Sequence, residues 1–292
     1  MSGIELARWA LYVDLGVLFG LPAAAMLVKA GAQLKSLRPL LVVPAILSLP
    51  LSAVGFLLLV AQMAGTGVGD VDQSLVLDLL TGSALGWAAI VRLAALTGAV
   101  ALLASPRPNP SWVLASAAIA VATLAWSGHA ASSEGALGIL RLLGDVVHLL
   151  AASIWLGALI LFLAMLLTRQ IQPDTATALE RFSGIGSVLV AVLLGTGVGN
   201  LLFLAVPSQW AALANGGYGR LLLVKLALFA AMLGLAATNR FLLVPRLRTR
   251  GGSSPGLGGV RHLRLSIFVE LALGIGVLLL VAILGLLDPG VG

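Results

Sequence analysis

Residues 139–167 read ILRLLGDVVHLLAASIWLGALILFLAMLL, and this stretch decides the class of fold. It is about 29 residues long, whereas a helix needs only about 20 predominantly apolar residues to cross the roughly 30 Å hydrocarbon core of a bilayer. Its ionisable side chains, Arg141, Asp145 and His148, all lie in its first third. The stretch therefore predicts a membrane-spanning helix with polar side chains near its start.

The composition of the whole chain agrees with this prediction. Of the 292 residues, 60% are hydrophobic and 10% are charged. A soluble domain carries about 25% charged residues and about 45–50% apolar ones, so the composition excludes a soluble enzyme, a disordered chain and a coiled coil. The chain has no cysteine, which also excludes disulfides, zinc fingers and thiolate metal sites.

Apolar stretches separated by polar residues predict about eight spans. The predicted fold is an all-α polytopic membrane protein, with residues 1–292 forming a single integral-membrane domain. The spans are predicted at 5–30, 39–64, 79–104, 111–128, 139–167, 182–206, 220–244 and 265–287.

The basic residues predict the orientation of these spans. They concentrate in the connections that follow odd-numbered spans, above all around residues 240–264, whereas Asp70, Asp72 and Glu134 lie in the opposite connections. Because basic loops remain in the cytoplasm, both termini are predicted to be periplasmic. Topology thus explains the formal charge of +6, and nucleic acid is not an expected partner.

One helical stripe of the fifth span carries the densest polar signal. Arg141, Asp145, His148, Ala152 and Trp155 follow one another at spacings of four, three, four and three, which places them on one face of a helix. Asp145 and His148 can then ligate a metal together, or the carboxylate can orient the imidazole. The alternative is an Arg141–Asp145 ion pair beside a hydrogen-bonded core histidine.

A second histidine favours the metal interpretation. His129 lies where the fourth span ends on the predicted outer side, and the long fifth span allows His148 to lie near the same level. The two imidazoles are therefore predicted to share one site with Asp145, and these ligand types suit copper, zinc, nickel or non-haem iron. The third histidine, His262, lies in the basic inner loop and is interpreted as solvated.

Two further residues are candidates for additional ligands at this level. Met63 is the only methionine near the predicted outer side, although a gap-filling apolar role is the default for such a residue. Asp14 lies about nine residues into the first span and is placed to approach the same layer. Its alternative is an ion pair with Arg92, because buried charges seek partners.

The remaining ionisable groups lie in the last two spans. Glu270, near the inner end of the eighth span, is a candidate pathway residue that receives an ion or a proton. Its alternative is an inner salt bridge, since Arg240 and Asn239 end the seventh span nearby. Lys225 is expected to snorkel towards the outer face.

Pairs of glycines four residues apart predict close approach of helix backbones. They occur at Gly16/Gly20, Gly82/Gly86 and Gly195/Gly199.

The order and spacing of several short sequence stretches resemble the CopD family of copper-resistance inner-membrane proteins, most strongly over residues 125–245. The resemblance is carried by these stretches, in this order: Ser127-Gly-His129-Ala, Asp145-Val-Val-His148, Ser153-Ile-Trp155-Leu-Gly157, Arg181-Phe-Ser183, Thr196-Gly-Val-Gly-Asn200, Tyr218-Gly-Arg220 with Lys225, and Asn239-Arg240-Phe241.

The resemblance implies an eight-span protein of the bacterial inner membrane that handles copper, by uptake from the periplasm to the cytoplasm. It implies His129 and His148 as copper-binding residues, with Asp145 beside them. It also implies a periplasmic copper carrier of the CopC type as partner, besides the membrane lipid around the chain.

Two alternative functions stay open at this stage. Histidines on facing helices can act as axial haem ligands, so a haem-binding or redox membrane protein is one alternative. Delivery of copper for assembly of a respiratory oxidase is the other. No phosphate-binding loop of the Walker type is present, so a channel or permease is expected rather than an ATP-driven pump or another enzyme.

Overall fold

The computed structural model describes residues 1–30, 38–107, 109–127, 135–167, 173–204, 210, 216–245 and 257–287. Within these ranges every regular element is helical. The nine α-helices within these ranges are α1 (Gly3–Leu27), α2 (Pro39–Ala64), α3 (Gln73–Gly82), α4 (Ala84–Ala104), α5 (Pro110–Ala122), α6 (Gly135–Leu167), α7 (Pro173–Leu204), α8 (Gly217–Thr238) and α9 (Leu257–Leu284).

Three short elements supplement these helices. A 3-10 turn, Val68–Asp70, precedes α3; a 3-10 segment, Thr123–Ser127, continues α5; and a π-helical turn, Asn239–Leu243, continues α8. Eight of the helices described, all except α3, are long and apolar enough to cross a membrane, α5 together with its 3-10 continuation to Ser127. The prediction of an all-α bundle of about eight spans is therefore confirmed.

The third span begins later than predicted, at Ala84 rather than at residue 79. Ser83 interrupts the helix because it adopts an extended conformation, and its hydroxyl caps α4 by accepting a 3.0 Å hydrogen bond from the backbone N–H of Gly86. A side chain at Gly86 would collide with the backbone carbonyls of Leu79 and Leu80. Gly86 thus serves a tight junction between α3 and α4, whereas Gly82 has open space around it, so the predicted contact of this pair between two spans is wrong.

The centre of the bundle is the crossing of α1 with α6. Gly20 and Gly157 lie directly opposite each other, and a Cβ atom on either would overlap the other helix's backbone. Small residues allow two helices to approach this closely in a membrane. The prediction for Gly16/Gly20 is therefore confirmed, whereas Gly195 and Gly199 on α7 have open space around them.

The last spans are arranged more loosely. α7 packs along α6 and α8 packs along α9, but the described parts of α7 and α8 barely contact one another although they are consecutive in the chain. α9 in turn packs on α1 and α6. This arrangement leaves a gap between α7 and α8 that continues into the interior of the bundle.

Candidate functional site

A cavity of about 400 Å³ occupies this gap. Side chains of α1, α6, α7, α8 and α9 line it. All five members of the stripe predicted on α6 are among them: Arg141, Asp145, His148, Ala152 and Trp155. The prediction that these residues share one face is therefore confirmed, and that face is the wall of a cavity.

The hydrogen bonds around His148 define which of its nitrogens can bind an ion. Its Nδ1 lies 2.7 Å from the hydroxyl oxygen of Thr196 on α7. That hydroxyl donates its own proton to the carbonyl oxygen of Val192, at 2.7 Å. Thr196 must therefore accept from Nδ1–H, since a hydroxyl has a single proton to donate. The neutral ring then keeps its lone pair on Nε2, the nitrogen left for a metal.

Asp145 is held by the same helix. Its Oδ1 accepts a 2.6 Å hydrogen bond from the side-chain amide of Asn200, which lies one turn beyond Thr196 on α7. The pair Asp145 and His148 on α6 thus faces the pair Thr196 and Asn200 on α7. This contact explains how a polar turn is accommodated inside a span, because each polar group meets a polar partner.

Basic side chains line the same cavity as this polar pair. Arg8 of α1, Arg141 of α6 and Lys225 of α8 all line the cavity. Lys225 is near enough to both Asp145 and His148 to interact with them electrostatically. Lys225 thus faces the interior of the bundle, and its predicted snorkelling towards the outer face stays a prediction.

A signal for this inward orientation was present in the sequence. The α8 residues Tyr218, Leu222, Lys225, Phe229 and Met232 repeat the spacing of four, three, four and three found on α6, and all five line the cavity. Met232 brings a thioether to the inner end of the cavity, where its side chain packs against Gly274 of α9. Sequence reasoning considered Met63 and missed Met232.

Asp14 and Met63 lie away from this cavity. Oδ2 of Asp14 accepts a 2.7 Å hydrogen bond from the hydroxyl of Ser48 on α2. Met63, near the end of α2, is 61% exposed. Neither residue is among the described residues that line the cavity. The structure therefore does not bring these two candidates together with His148 and Asp145.

The alternative of an Asp14–Arg92 ion pair is wrong. Arg92, which is buried in α4, donates from Nε to the Thr123 hydroxyl at 2.8 Å and from Nη2 to the Thr123 carbonyl at 3.1 Å. Arg8 donates from Nη1 to the carbonyl oxygen of Ser127 at 3.3 Å. The two arginines are used to fix the 3-10 segment that ends α5.

Glu270 is only 2% exposed and lies behind Trp155. Its Oε1 accepts a 2.9 Å hydrogen bond from Trp155 Nε1, and its Oε2 accepts a 3.1 Å hydrogen bond from Asn239 Nδ2. The alternative of a salt bridge to Arg240 is wrong, because Arg240 instead donates to the hydroxyl of Ser187. Two neutral donors hold this buried carboxyl group.

The predicted second imidazole, His129, lies outside the described residues. The 3-10 segment that precedes it ends at Ser127, beside Arg8 of the cavity wall. His262 is exposed, as predicted, but it lies on α9 rather than in a loop, because this helix begins at Leu257 and not at residue 265. In the described part of the chain no three His, Cys, Asp or Glu residues come together, and His148 and Asp145 stand there as a pair.

The fold and the site define a class of protein: a multi-pass helical membrane protein with a histidine–carboxylate pair inside a polar-ended cavity. Residues 2–139 match the family model described as copper resistance protein D-like, N-terminal domain, and residues 176–284 match the model described as copper resistance protein D. No solved structure matches the chain.

Three curated relatives agree with these models. The chain is 36% identical to "Copper resistance protein D" of Pseudomonas syringae pv. tomato, over 97% of this chain and 95% of that protein. It is 30% identical to "Inner membrane protein YebZ" of Escherichia coli (strain K12), over 82% of this chain and 81% of that protein. It is 37% identical to "Copper transport protein CutJ" of Bacillus subtilis (strain 168), over 54% of this chain and 27% of that protein.

The chain therefore belongs to the copper resistance protein D family. It is a multi-pass protein of the inner membrane. The resemblance to the CopD family found in the sequence is confirmed.

Proposed function

We propose that this protein binds copper ions at its periplasmic end and moves them through the membrane towards the cytoplasm. The observation that carries the proposal is the pairing of His148 with Asp145 on the wall of an internal cavity. Because the Thr196 hydroxyl accepts the proton of His148 Nδ1, the lone pair of the ring lies on Nε2. A histidine must have such a free lone pair in order to coordinate a metal.

The ligand set proposed for the ion is His148, Asp145 and His129. Imidazole and carboxylate together suit Cu(II) among other divalent ions. The choice of copper is supported by the names of the relatives, which refer to copper resistance and copper transport. The ion is the transported substrate, so no catalytic step is assigned to any residue and the protein acts as a permease rather than as an enzyme.

The inward path proposed for the ion follows the cavity. From His148 the cavity passes Trp155 and reaches Met232, whose thioether is a further possible copper ligand. Glu270 lies just behind Trp155 and provides a buried carboxyl group at the end of this path. Asp14 and Met63 are not assigned a role on this path, because they lie away from the cavity.

A carrier of the CopC type is the proposed source of the copper. The cavity's polar end lies at the end of the bundle where α1, α6 and α8 begin, which the basic loops predict to be periplasmic. A carrier docked at this end would release its ion within reach of His148.

The test is copper entry into proteoliposomes that enclose a copper-sensitive dye. Wild-type protein should admit copper, and His148→Ala should abolish entry because it removes the ligand nitrogen. His262→Ala is the matched control, since it removes an exposed imidazole outside the cavity and should leave entry unchanged. Equal entry for His148→Ala and wild type would overturn the site, and a Soret band in the purified protein would favour the haem alternative.

A further inference from the structure

The cavity is much larger than a copper site requires. Its volume is about 400 Å³, which lies within the range of about 300–1,000 Å³ typical of pockets for organic ligands. A metal ion bound between His148 and Asp145 would occupy only a small part of it. The remaining space is lined mainly by leucine, valine and aromatic side chains, so it fits an apolar group.

The cavity is also open towards the lipid. It lies between α7 and α8, whose described parts barely contact each other. Three of its lining residues, Leu194 and Val198 on α7 and Leu226 on α8, are 45%, 56% and 46% exposed. These residues belong to the cavity wall and to the outer apolar surface of the bundle at once. A molecule from the bilayer can therefore enter sideways between the two helices.

The polar end of the cavity carries an excess of positive charge. Arg8, Arg141 and Lys225 line it, and Asp145 is the only acidic residue among the described lining residues. Lys225 interacts electrostatically with Asp145, whose Oδ1 also accepts the hydrogen bond from Asn200, so one carboxylate serves both groups. A cationic side chain inside a spanning segment is unfavourable unless an anion or water compensates it.

We propose that this cavity is a binding site for an anionic phospholipid. The phosphate of the headgroup pairs with the Lys225 ammonium near Arg8 and Arg141, and an acyl chain lies along Leu222, Leu226 and Phe229 in the gap between α7 and α8. An anionic phospholipid has a negative headgroup that matches the positively charged end of the cavity, and an apolar tail that matches its apolar lining. This inference goes beyond the proposed copper function and does not depend on it.

The test is native mass spectrometry of the full-length protein, released from nanodiscs that contain equal amounts of phosphatidylglycerol and phosphatidylcholine. Wild-type protein should retain one phosphatidylglycerol in strong preference to phosphatidylcholine. Lys225→Met should reduce that preference by about tenfold, because a charge-assisted hydrogen bond is lost. Lys225→Arg should keep it, and this variant also shows whether position 225 tolerates substitution.

Arg220→Met provides the matched control. Arg220 lies on the same helix and carries the same charge, but it is exposed and does not line the cavity, so this variant should bind lipid as wild type does. Soluble glycerol phosphate separates a lipid site from a phosphate site, since millimolar concentrations should not displace the lipid. The proposal is overturned if Lys225→Met keeps the wild-type preference, if Arg220→Met loses it equally, or if glycerol phosphate displaces the lipid.

Discussion

The indole N–H of Trp155 donates a 2.9 Å hydrogen bond to Oε1 of Glu270, and so connects α6 to α9 inside the bundle. Asn239, in the π-helical turn at the end of α8, completes the contact through Oε2. A single carboxyl group thus joins three spans that form the cavity. Trp155 lines the cavity, whereas Glu270 is buried behind it, so this hydrogen bond connects the cavity wall to the buried interior.

Removal of the Glu270 carboxyl group should destabilise the fold. Glu270→Ala leaves Trp155 Nε1 and Asn239 Nδ2 buried without an acceptor, and each orphaned donor costs about 1–3 kcal/mol. Glu270→Gln keeps an acceptor oxygen and should lower the melting temperature less. Thermal unfolding in detergent measures both effects. Asp78→Ala, at an exposed acidic residue on α3, should have no effect, and a wild-type melting temperature for Glu270→Ala would contradict the role assigned to this contact.

Loss of the Thr196 hydroxyl should weaken copper binding without removing a ligand. Thr196→Val deprives His148 Nδ1–H of its acceptor, so the ring is no longer fixed with Nε2 free. Loss of a group that hydrogen-bonds to a metal-binding histidine typically lowers metal affinity by about 10–100-fold. Competition with a copper chelator measures the affinity. Thr97→Val is the matched control, because the exposed Thr97 makes the same hydrogen bond to the carbonyl four residues earlier. Equal affinity for both variants would contradict the tautomer assigned to His148.

The two histidines should behave as members of one site. If His129 and His148 share an ion, the double variant His129→Ala/His148→Ala should bind copper no more weakly than His148→Ala alone, because the first substitution already destroys the site. Independent sites would give additive losses instead. Copper titration of the two single variants and of the double variant distinguishes these outcomes.

Substitution at the crossing of α1 and α6 should prevent normal packing. Gly157→Ala places a methyl group against the backbone of Gly20, which cannot move aside as a flexible side chain would. We expect a loss of about 1–3 kcal/mol or more in unfolding free energy, with less monodisperse protein in size-exclusion chromatography. Gly195→Ala adds the same methyl group where the structure has open space, and it should elute and unfold as wild type.

Arg92 should contribute to stability through Thr123 and not through an acid. Arg92→Met removes hydrogen bonds to both oxygens of Thr123 and should lower the unfolding free energy by about 1–3 kcal/mol. Asp14→Asn should have little effect on this contact, so its effect and that of Arg92→Met should add. Arg107→Met, at an exposed arginine, serves as control. Strong coupling between Asp14 and Arg92 in this double-mutant cycle would contradict the structure.

Much of the fold could be predicted because a bilayer imposes simple rules. Each span needs about 20 apolar residues, and polar side chains inside it are costly enough to stand out. The α6 stripe was predictable for the same reason, since helical periodicity alone places Asp145 and His148 on one face. The start of the third span was predicted too early because Ser83 acts as a cap within an otherwise apolar sequence.

The partners of the buried polar groups could not be predicted. Asp14 and Arg92 are opposite charges at similar depth, yet helix rotation directs one towards Ser48 and the other towards Thr123. Arg240 is next to Asn239 in the chain, but only the asparagine faces Glu270. A rotation of 100° per residue separates neighbours on a helix, so sequence proximity does not determine which of them meets a given partner.

The amino-acid sequence alone determined that this protein lies in a membrane, how many times it crosses, and which face of α6 is polar, because these properties depend on local hydrophobicity and helical period. Only the tertiary structure decided that α7 and α8 separate, that Lys225 and Met232 face His148 and Trp155 across a cavity, and that Glu270 is held by Trp155 and Asn239. These relationships depend on the rotation and packing of helices that are far apart in the chain.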